Sequence, residues 1–272
     1  MARRQGALSP MRFSALPRLS LVPVPVLLPR TLSALVTLLA LAGVASPDPV
    51  GAQGPAGTQG ATGTDLAGHV ELLDKSGHLP ARGESLEDVV VWFEPLWANP
   101  GVAPGRAELS TWRKSFVPRV LPVTAGSTVR FPNRDPILHN AFSVSRGNAF
   151  DLGLVEQGPG DEVVFDRPGV ARVFCNVHHD MVAYVLVLDT PYFTRPDARG
   201  RFTLEGVPPG PGALHAWHER AEPSEVAMTV PKPVGATVSP PARIRLEITR
   251  PRIPPHLNKF GRRYGRSRNR YQ

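Results

Sequence analysis

The chain of 272 residues has one cysteine, Cys175, and only 4 methionines. A single thiol cannot close an intramolecular disulfide, which excludes a disulfide-stapled scaffold. In an oxidising compartment a lone thiol needs burial or an occupant such as a metal ion. Long helical stretches are also scarce. Proline (31) and glycine (25) are abundant instead, a composition suited to short strands and many turns. His-x-His pairs are absent, and Cys175 is flanked by Phe174 and Asn176. That argues against a multinuclear copper oxidase, whose centre needs such pairs and histidines beside the cysteine. Acidic residues are missing from one end of the chain altogether.

Residues 250–272 carry eight Lys/Arg (Arg250, Arg252, Lys259, Arg262, Arg263, Arg266, Arg268, Arg270) and no acid. Residues 1–50 carry five Arg against Asp48, so residues 51–249 are left at −4 within a total of +8. A mildly acidic body excludes a nucleic-acid surface outside the tail, and no nucleic-acid partner is expected. The tail itself has little apolar content. Residues 251–272 are read as a disordered basic end, able to contact an acidic surface.

Arg3, Arg4, Arg12, Arg18 and Arg30 precede an uncharged run, Thr31–Ala45. Small-residue cleavage sites follow at Gly43-Val44-Ala45 and Val50-Gly51-Ala52. The run is short for a membrane span of about 20 residues. Residues 1–52 are therefore expected to be a signal peptide that sends the protein to the periplasm or outside the cell. An uncleaved anchor is the alternative, and Met11 an alternative start. Residues 51–65 form five Gly-X-Y triplets with a single Pro, too few for a stable triple helix. Residues 53–67 read as a flexible Gly-rich linker.

From Gly68 onward short β-type runs alternate with turn signals. Strands are predicted at His69–Leu73, Val89–Phe93, Val120–Val123, Thr128–Phe131, Ala141–Val144, Glu162–Phe165, Ala171–Phe174 and Ala183–Leu188. After Pro191 they are predicted at Arg201–Leu204, Ala213–Trp217, Glu225–Val230 and Ala242–Ile248. Pro100–Arg106 reads as a loop, and Leu109–Lys114 as room for one helical turn. The spacing predicts an all-β chain built from antiparallel sandwiches.

The chemistry concentrates in Arg172–Leu188. A strand ends at Phe174, a loop offers Cys175, His178 and Met181, and another strand follows. Thiolate, imidazole and thioether on one loop need one more imidazole to complete a His₂Cys trigonal site with a weak axial Met, the blue-copper arrangement. His139 supplies it from upstream. Zinc is disfavoured because a thioether is a poor zinc donor. A Cys–His nucleophile would need an orienting third group, and none is visible. His179 reads as a solvated neighbour, and His69, His78 and His256 as ordinary core or surface histidines. His215 and His218 fall on opposite faces of a continuous strand; a second metal site there requires the strand to end before His218.

Cys-x₂-His-x₂-Met after a Phe, with His139-Asn140 beside an upstream strand, resembles the cupredoxin family of type 1 blue-copper proteins (plastocyanin/amicyanin-like). The short ligand loop is closest to that of amicyanin-type members. Phe116-Val-Pro and Pro122-Val-Thr-Ala-Gly-Ser-Thr-Val-Arg-Phe131 resemble the strand pair preceding the first ligand. The resemblance implies a Greek-key sandwich holding one copper ion through His139, Cys175, His178 and Met181. It further implies that Asn140 hydrogen-bonds to the Cys-bearing loop, and that electrons pass to transient redox partner proteins by the His178 edge. His179 departs from the Pro often found at that position. The implied function is one-electron transfer and not enzymatic catalysis; the alternative is copper binding for sequestration or delivery.

A second resemblance is to carboxypeptidase-regulatory or transthyretin-like sandwiches. It rests on Asp197-Ala-Arg-Gly-Arg-Phe, Val207-Pro-Pro-Gly and Gly68–Pro80. The expected organisation is a cupredoxin domain over 68–190, with 68–87 available to the second sandwich, and a smaller β segment over 191–250. If both halves are real, the copper domain is nested inside a small sandwich.

Overall fold

The computed structural model describes residues 63–74, 76–78, 84–97, 100–232 and 241–264. The signal segment and most of the Gly-rich linker lie outside these residues. The described chain is all-β apart from one short 3₁₀ turn, Leu86–Asp88. In order the strands are β1 (Thr64–Leu73), β2 (Val90–Pro95), β3 (Arg106–Glu108), β4 (Ser110–Trp112), β5 (Ser115–Val117), β6 (Val120–Thr124), β7 (Ser127–Arg130), β8 (His139–Ser145) and β9 (Asn148–Val155). They continue with β10 (Glu162–Phe165), β11 (Gly169–Phe174), β12 (Val182–Leu188), β13 (Phe193–Thr194), β14 (Arg201–Val207), β15 (Gly210–Trp217), β16 (Ser224–Val230) and β17 (Ala242–Glu247).

Four sheets stack as layers, and alternation along the strands explains why. The order β6-β12-β11-β8-β9 makes a five-stranded sheet, faced by β10-β7-β3. Leu121, Val129, Phe131, Phe165, Val173 and Val185 fill the space between them. The opposite face of the five-stranded sheet presents Val120, Phe142, Phe174, Tyr184 and Leu186 to Val90 and Trp217 of the next sheet, β13-β2-β15-β16. On that sheet's far side Val91, Phe93 and Leu214 meet Leu66, Val70, Leu204 and Ile244 of the outer sheet β14-β1-β17.

β12 is buried at all seven positions. Its run VAYVLVL sends Ala183, Val185 and Val187 to one core and Val182, Tyr184, Leu186 and Leu188 to the other. A continuous apolar strand is what two-sided burial demands. β11 and β6 flank it, the latter in parallel register from Tyr184↔Val120 to Leu188↔Thr124.

The connectivity is nested. β1 and β2 pair with strands that come after the metal-ligand loop: β1 with β14 and β17, β2 with β13 and β15. Everything from β3 to β12 lies between. The turn Asp197–Gly200 feeding β14 forms as its sequence suggests. Gly200 takes φ +81, and any Cβ there would lie 2.2 Å from the Val70 carbonyl oxygen.

Three segments differ from expectation. Residues 64–67, read as linker, belong to β1, where Leu66 is wholly buried. Leu109–Lys114 holds no helical turn: β4 and β5 form a hairpin whose turn residues Arg113 and Lys114 adopt φ 51 and 57. Two consecutive left-handed residues suit the tight turn of a twisted hairpin. The third is the basic end, whose residues 251–264 pack against the metal-ligand loop instead of standing free, as described below; residues 265–272 lie outside the described chain.

A polar seam ties the start of β6 to the segment that follows β15. Arg119, just before β6, donates from Nε to both carboxylate oxygens of Glu219 (2.6 and 2.9 Å), and its guanidinium also reaches the Arg252 carbonyl at 2.8 Å. His218 is 1% exposed, and its Nδ1 accepts the Arg220 amide at 3.3 Å, so the neutral ring carries its proton on Nε2. The Glu84 carboxylate lies 3.8 Å from that Nε2, but it is already paired with Arg220. Burial first, then the charges of Arg220 and Arg119, push the His218 pKa down to about 4. A ring kept neutral in the fold but protonated near pH 6.5 when unfolded stabilises the fold above pH 6.5, and that stability is lost as pH falls towards 4. Burial raises Glu219, which acts in the opposite direction. The expected loss from His218 is ~3 kcal/mol between pH 7 and 4. Urea midpoints should show that component in the wild type and lose it in His218→Gln.

Candidate metal centre

The centre is built where β11 hands over to β12. β11 ends at Phe174, and the seven residues to Met181 form a closed loop. The Cys175 amide donates to the Met181 carbonyl at 3.3 Å, and the Met181 amide to the His178 carbonyl at 3.0 Å. Inside the loop the His178 amide donates to Cys175 Sγ at 3.4 Å. His139 opens β8 opposite Val155 of β9, which places its ring over the same loop.

Cys175 is fully buried, His139 1% exposed, Met181 2% exposed and His178 half-buried. Cys175 Sγ lies 4.0 Å from His139 Nδ1 and 3.9 Å from His178 Nδ1, and the three side chains form the one such cluster of His, Cys and carboxylate groups among the described residues. Both separations are too long for useful hydrogen bonds. They lie near the span of about 3.7 Å that metal–sulfur and metal–nitrogen bonds of ~2.3 and ~2.0 Å subtend at a trigonal angle. The donor set therefore fits a metal ion held by one thiolate and two imidazoles. Met181 shares the apolar cluster around Cys175.

Asp135 was not foreseen. Its carboxylate oxygen sits 2.8 Å from His139 Nε2. The same carboxylate accepts the amides of Arg113 (2.7 Å) and Lys114 (2.9 Å), the two turn residues of the β4–β5 hairpin. Burial alone would raise Asp135, but the amides of Lys114 and Arg113 and the His139 ring outweigh it and hold the carboxyl below its ordinary range. With Nε2–H donated to Asp135, His139 turns the lone pair of Nδ1 towards the sulfur, an orientation that a ligand histidine requires. Burial first, then the charges of His139 and Lys114, lower the His178 pKa, which favours the neutral form of its ring.

Asn140 joins the two ligand-bearing segments. Its Oδ1 accepts the Asn176 amide at 3.2 Å, and its Nδ2 donates to Asp151 at 2.9 Å. Lys259 closes the circuit: its amide donates to Asn176 Oδ1 at 3.3 Å and its Nζ to Asp151 at 2.8 Å. Lys259 belongs to the basic end of the chain, which thus forms a strap across the loop. His256 stacks on Phe174 with ring centroids 4.0 Å apart, and Tyr264 lies 4.5 Å from the His179 ring. Burial and the proximity of Cys175 push the Tyr264 phenol up to about 12. His256 is thus a partly buried histidine packed on Phe174, and His179 faces Tyr264.

His215 and His218 are not brought together. His215 stacks on Trp92 with centroids 4.9 Å apart, whereas His218 sits in the polar seam beside Glu84. β15 ends at Trp217, as a second site would need, yet among the described residues no such cluster forms.

Neither a family model nor a curated protein matches the sequence. Among solved structures, the chain is similar to amicyanin from Paracoccus versutus at 21% identity, covering 30% of this chain and 80% of that one with a TM-score of 0.28. It is similar to a purple cupredoxin from Nitrosopumilus maritimus at 26% identity over 30% of this chain and 99% of that one, with a TM-score of 0.27. A copper-containing nitrite reductase from Thermus scotoductus aligns at 22% identity over 35% of this chain and 25% of its own length, with a TM-score of 0.30. These structural neighbours are cupredoxins and a copper enzyme at low coverage and low score, and the transthyretin-like resemblance has no counterpart among them.

Replacing Asp135 by Asn removes the charged acceptor from His139 while keeping the residue's shape. The expected result is a metal affinity lowered about 10- to 100-fold. Competition titrations with a copper chelator measure it, with far-UV circular dichroism unchanged.

Proposed function

We propose that this chain is an exported mononuclear copper protein that passes single electrons between transient partners. The observation that carries this reading is the buried Cys175 thiol facing Nδ1 of both His139 and His178 at 3.9–4.0 Å. Bound copper supplies a one-electron couple between Cu(I) and Cu(II).

The chain's own residues supply the rest. Cys175 contributes the thiolate, with the His178 amide as a donor to its sulfur. His139 and His178 contribute neutral imidazoles, the first fixed by Asp135. Met181, buried in the same apolar cluster as Cys175, would supply the soft thioether donor that favours the reduced ion. Asn140 and Asn176 hold the two ligand-bearing segments in register, which limits rearrangement between oxidation states. His178 is the half-buried ligand, so its edge is the route to a partner, through an interface of the small, transient class. One observation favours a second reading. The strap over the ligand loop suits a protein that holds copper for sequestration or delivery.

Among the described residues no helix is long and apolar enough to cross a membrane. Export itself rests on the Arg-flanked apolar segment at the N-terminus.

Loading the protein with Cu(II) and recording absorption through repeated reduction separates the readings. An intense thiolate-to-copper band with reversible cycling supports the carrier. A colourless protein that retains Cu(I) supports storage or delivery, and no copper binding overturns both. Cys175→Ser is expected to abolish the band, and Met181→Leu to keep it while shifting the reduction potential in voltammetry.

A further inference from the structure

Positive charge collects at the end of the molecule that carries the metal-ligand residues. The strap is held from two sides, by the stacking of His256 on Phe174 and by the hydrogen bonds of Lys259 to Asn176 and Asp151. Its Asn258–Arg262 turn is internally braced, the Asn258 side chain accepting the amides of Phe260 and Arg262. Seated in this way, the strap exposes Arg262 and Arg263, and neither side chain has a carboxylate partner among the described residues. Lys259 is neutralised by Asp151. Nearby, the β4–β5 turn exposes Arg113 and Lys114, whose amides bond the Asp135 carboxylate that holds His139. Asp180 of the ligand loop and Glu156 beyond β9 are the opposing exposed acids.

The asymmetry matters as much as the local sum. Residues 51–249 carry −4, and the cationic rim is set on one end of that body. Such a charge distribution turns an approaching anion towards the metal-ligand loop before contact. We propose that this basic rim, with the strap at its centre, is the docking surface for a redox partner protein that presents an acidic face. The proposal rests on the electron-carrier reading for its purpose, but the surface exists without metal and can be tested without it.

The first test titrates the metal-free full chain with hexacyanochromate(III), a redox-inert paramagnetic trianion, and follows amide line broadening by NMR. The amides of Val177–His179 and Asn258–Arg263 are expected to broaden first. Arg262→Glu with Arg263→Glu is expected to weaken that binding at least about tenfold. Arg243→Glu, an exposed site on β17 in the outer sheet, is expected to leave it unchanged. Broadening centred elsewhere, or equal weakening by Arg243→Glu, would overturn the proposal.

The second test uses the copper-loaded full chain. Cu(I) gives one electron to hexacyanoferrate(III), leaving Cu(II) and hexacyanoferrate(II). The rate is expected to fall with added salt and to drop about tenfold at low ionic strength in the double variant alone. A rate insensitive to salt and to these variants would overturn the proposal. Absence of a blue band on loading with Cu(II) would instead defeat the electron-carrier reading and leave the first test standing. Retention on phosphatidylglycerol vesicles that protects the same amides would overturn the assignment to a protein partner in favour of a membrane surface.

Discussion

β12 has no solvent side, and that constraint organises both halves of the molecule. Its odd-numbered residues from Ala183 to Val187 complete the core around the metal-ligand residues, while Val182, Tyr184, Leu186 and Leu188 complete the contact with the neighbouring sheet. A shift of one residue in its register would exchange these two sets. It would also move Met181, the residue just before the strand, and with it the closure of the ligand loop. The rigidity of the centre therefore originates in packing on both faces of the five-stranded sheet, not in the loop alone.

A second line of support runs from a hairpin turn to the metal-ligand residues. Arg113 and Lys114 accept left-handed backbone angles that non-glycine residues seldom adopt. Both of their amides then converge on one carboxylate, Asp135, which fixes the tautomer of His139. The Asn140–Asn176–Lys259–Asp151 circuit performs the same service for the cysteine side. The two supports come from different parts of the chain, one from the β4–β5 hairpin and one from the C-terminal strap.

The parts legible in the sequence are those whose signal is local. Cys175, His178 and Met181 share a loop between two recognisable strands, and the all-apolar run of β12 announces burial on both faces. His139 is legible because the loop lacks one imidazole and His139-Asn140 stands beside a strand. Asp135 was invisible because its role depends on a turn more than 20 residues away. β9 was missed because Asp151 and Gly153 interrupt its alternation and its pairing with β8 shifts register between Asn140 and Phe142. The strap was misjudged for a related reason: its composition is that of a solvated tail, and only His256, Lys259 and Tyr264 give it purchase on the fold. The nested order of the sheets was foreseeable only as a possibility, since Gly/Pro turn patterns do not say which strands pair.

That nesting has an architectural consequence. β13 runs back along β2, with Phe193 opposite Trp92 and Thr194 opposite Val91. The chain therefore leaves the host sandwich and re-enters it on neighbouring strands, so the intervening segment behaves as a cassette with adjoining ends. Because its two ends sit on hydrogen-bonded neighbours, the loop-closure cost of the whole intervening segment is met by the β2–β13 pairing.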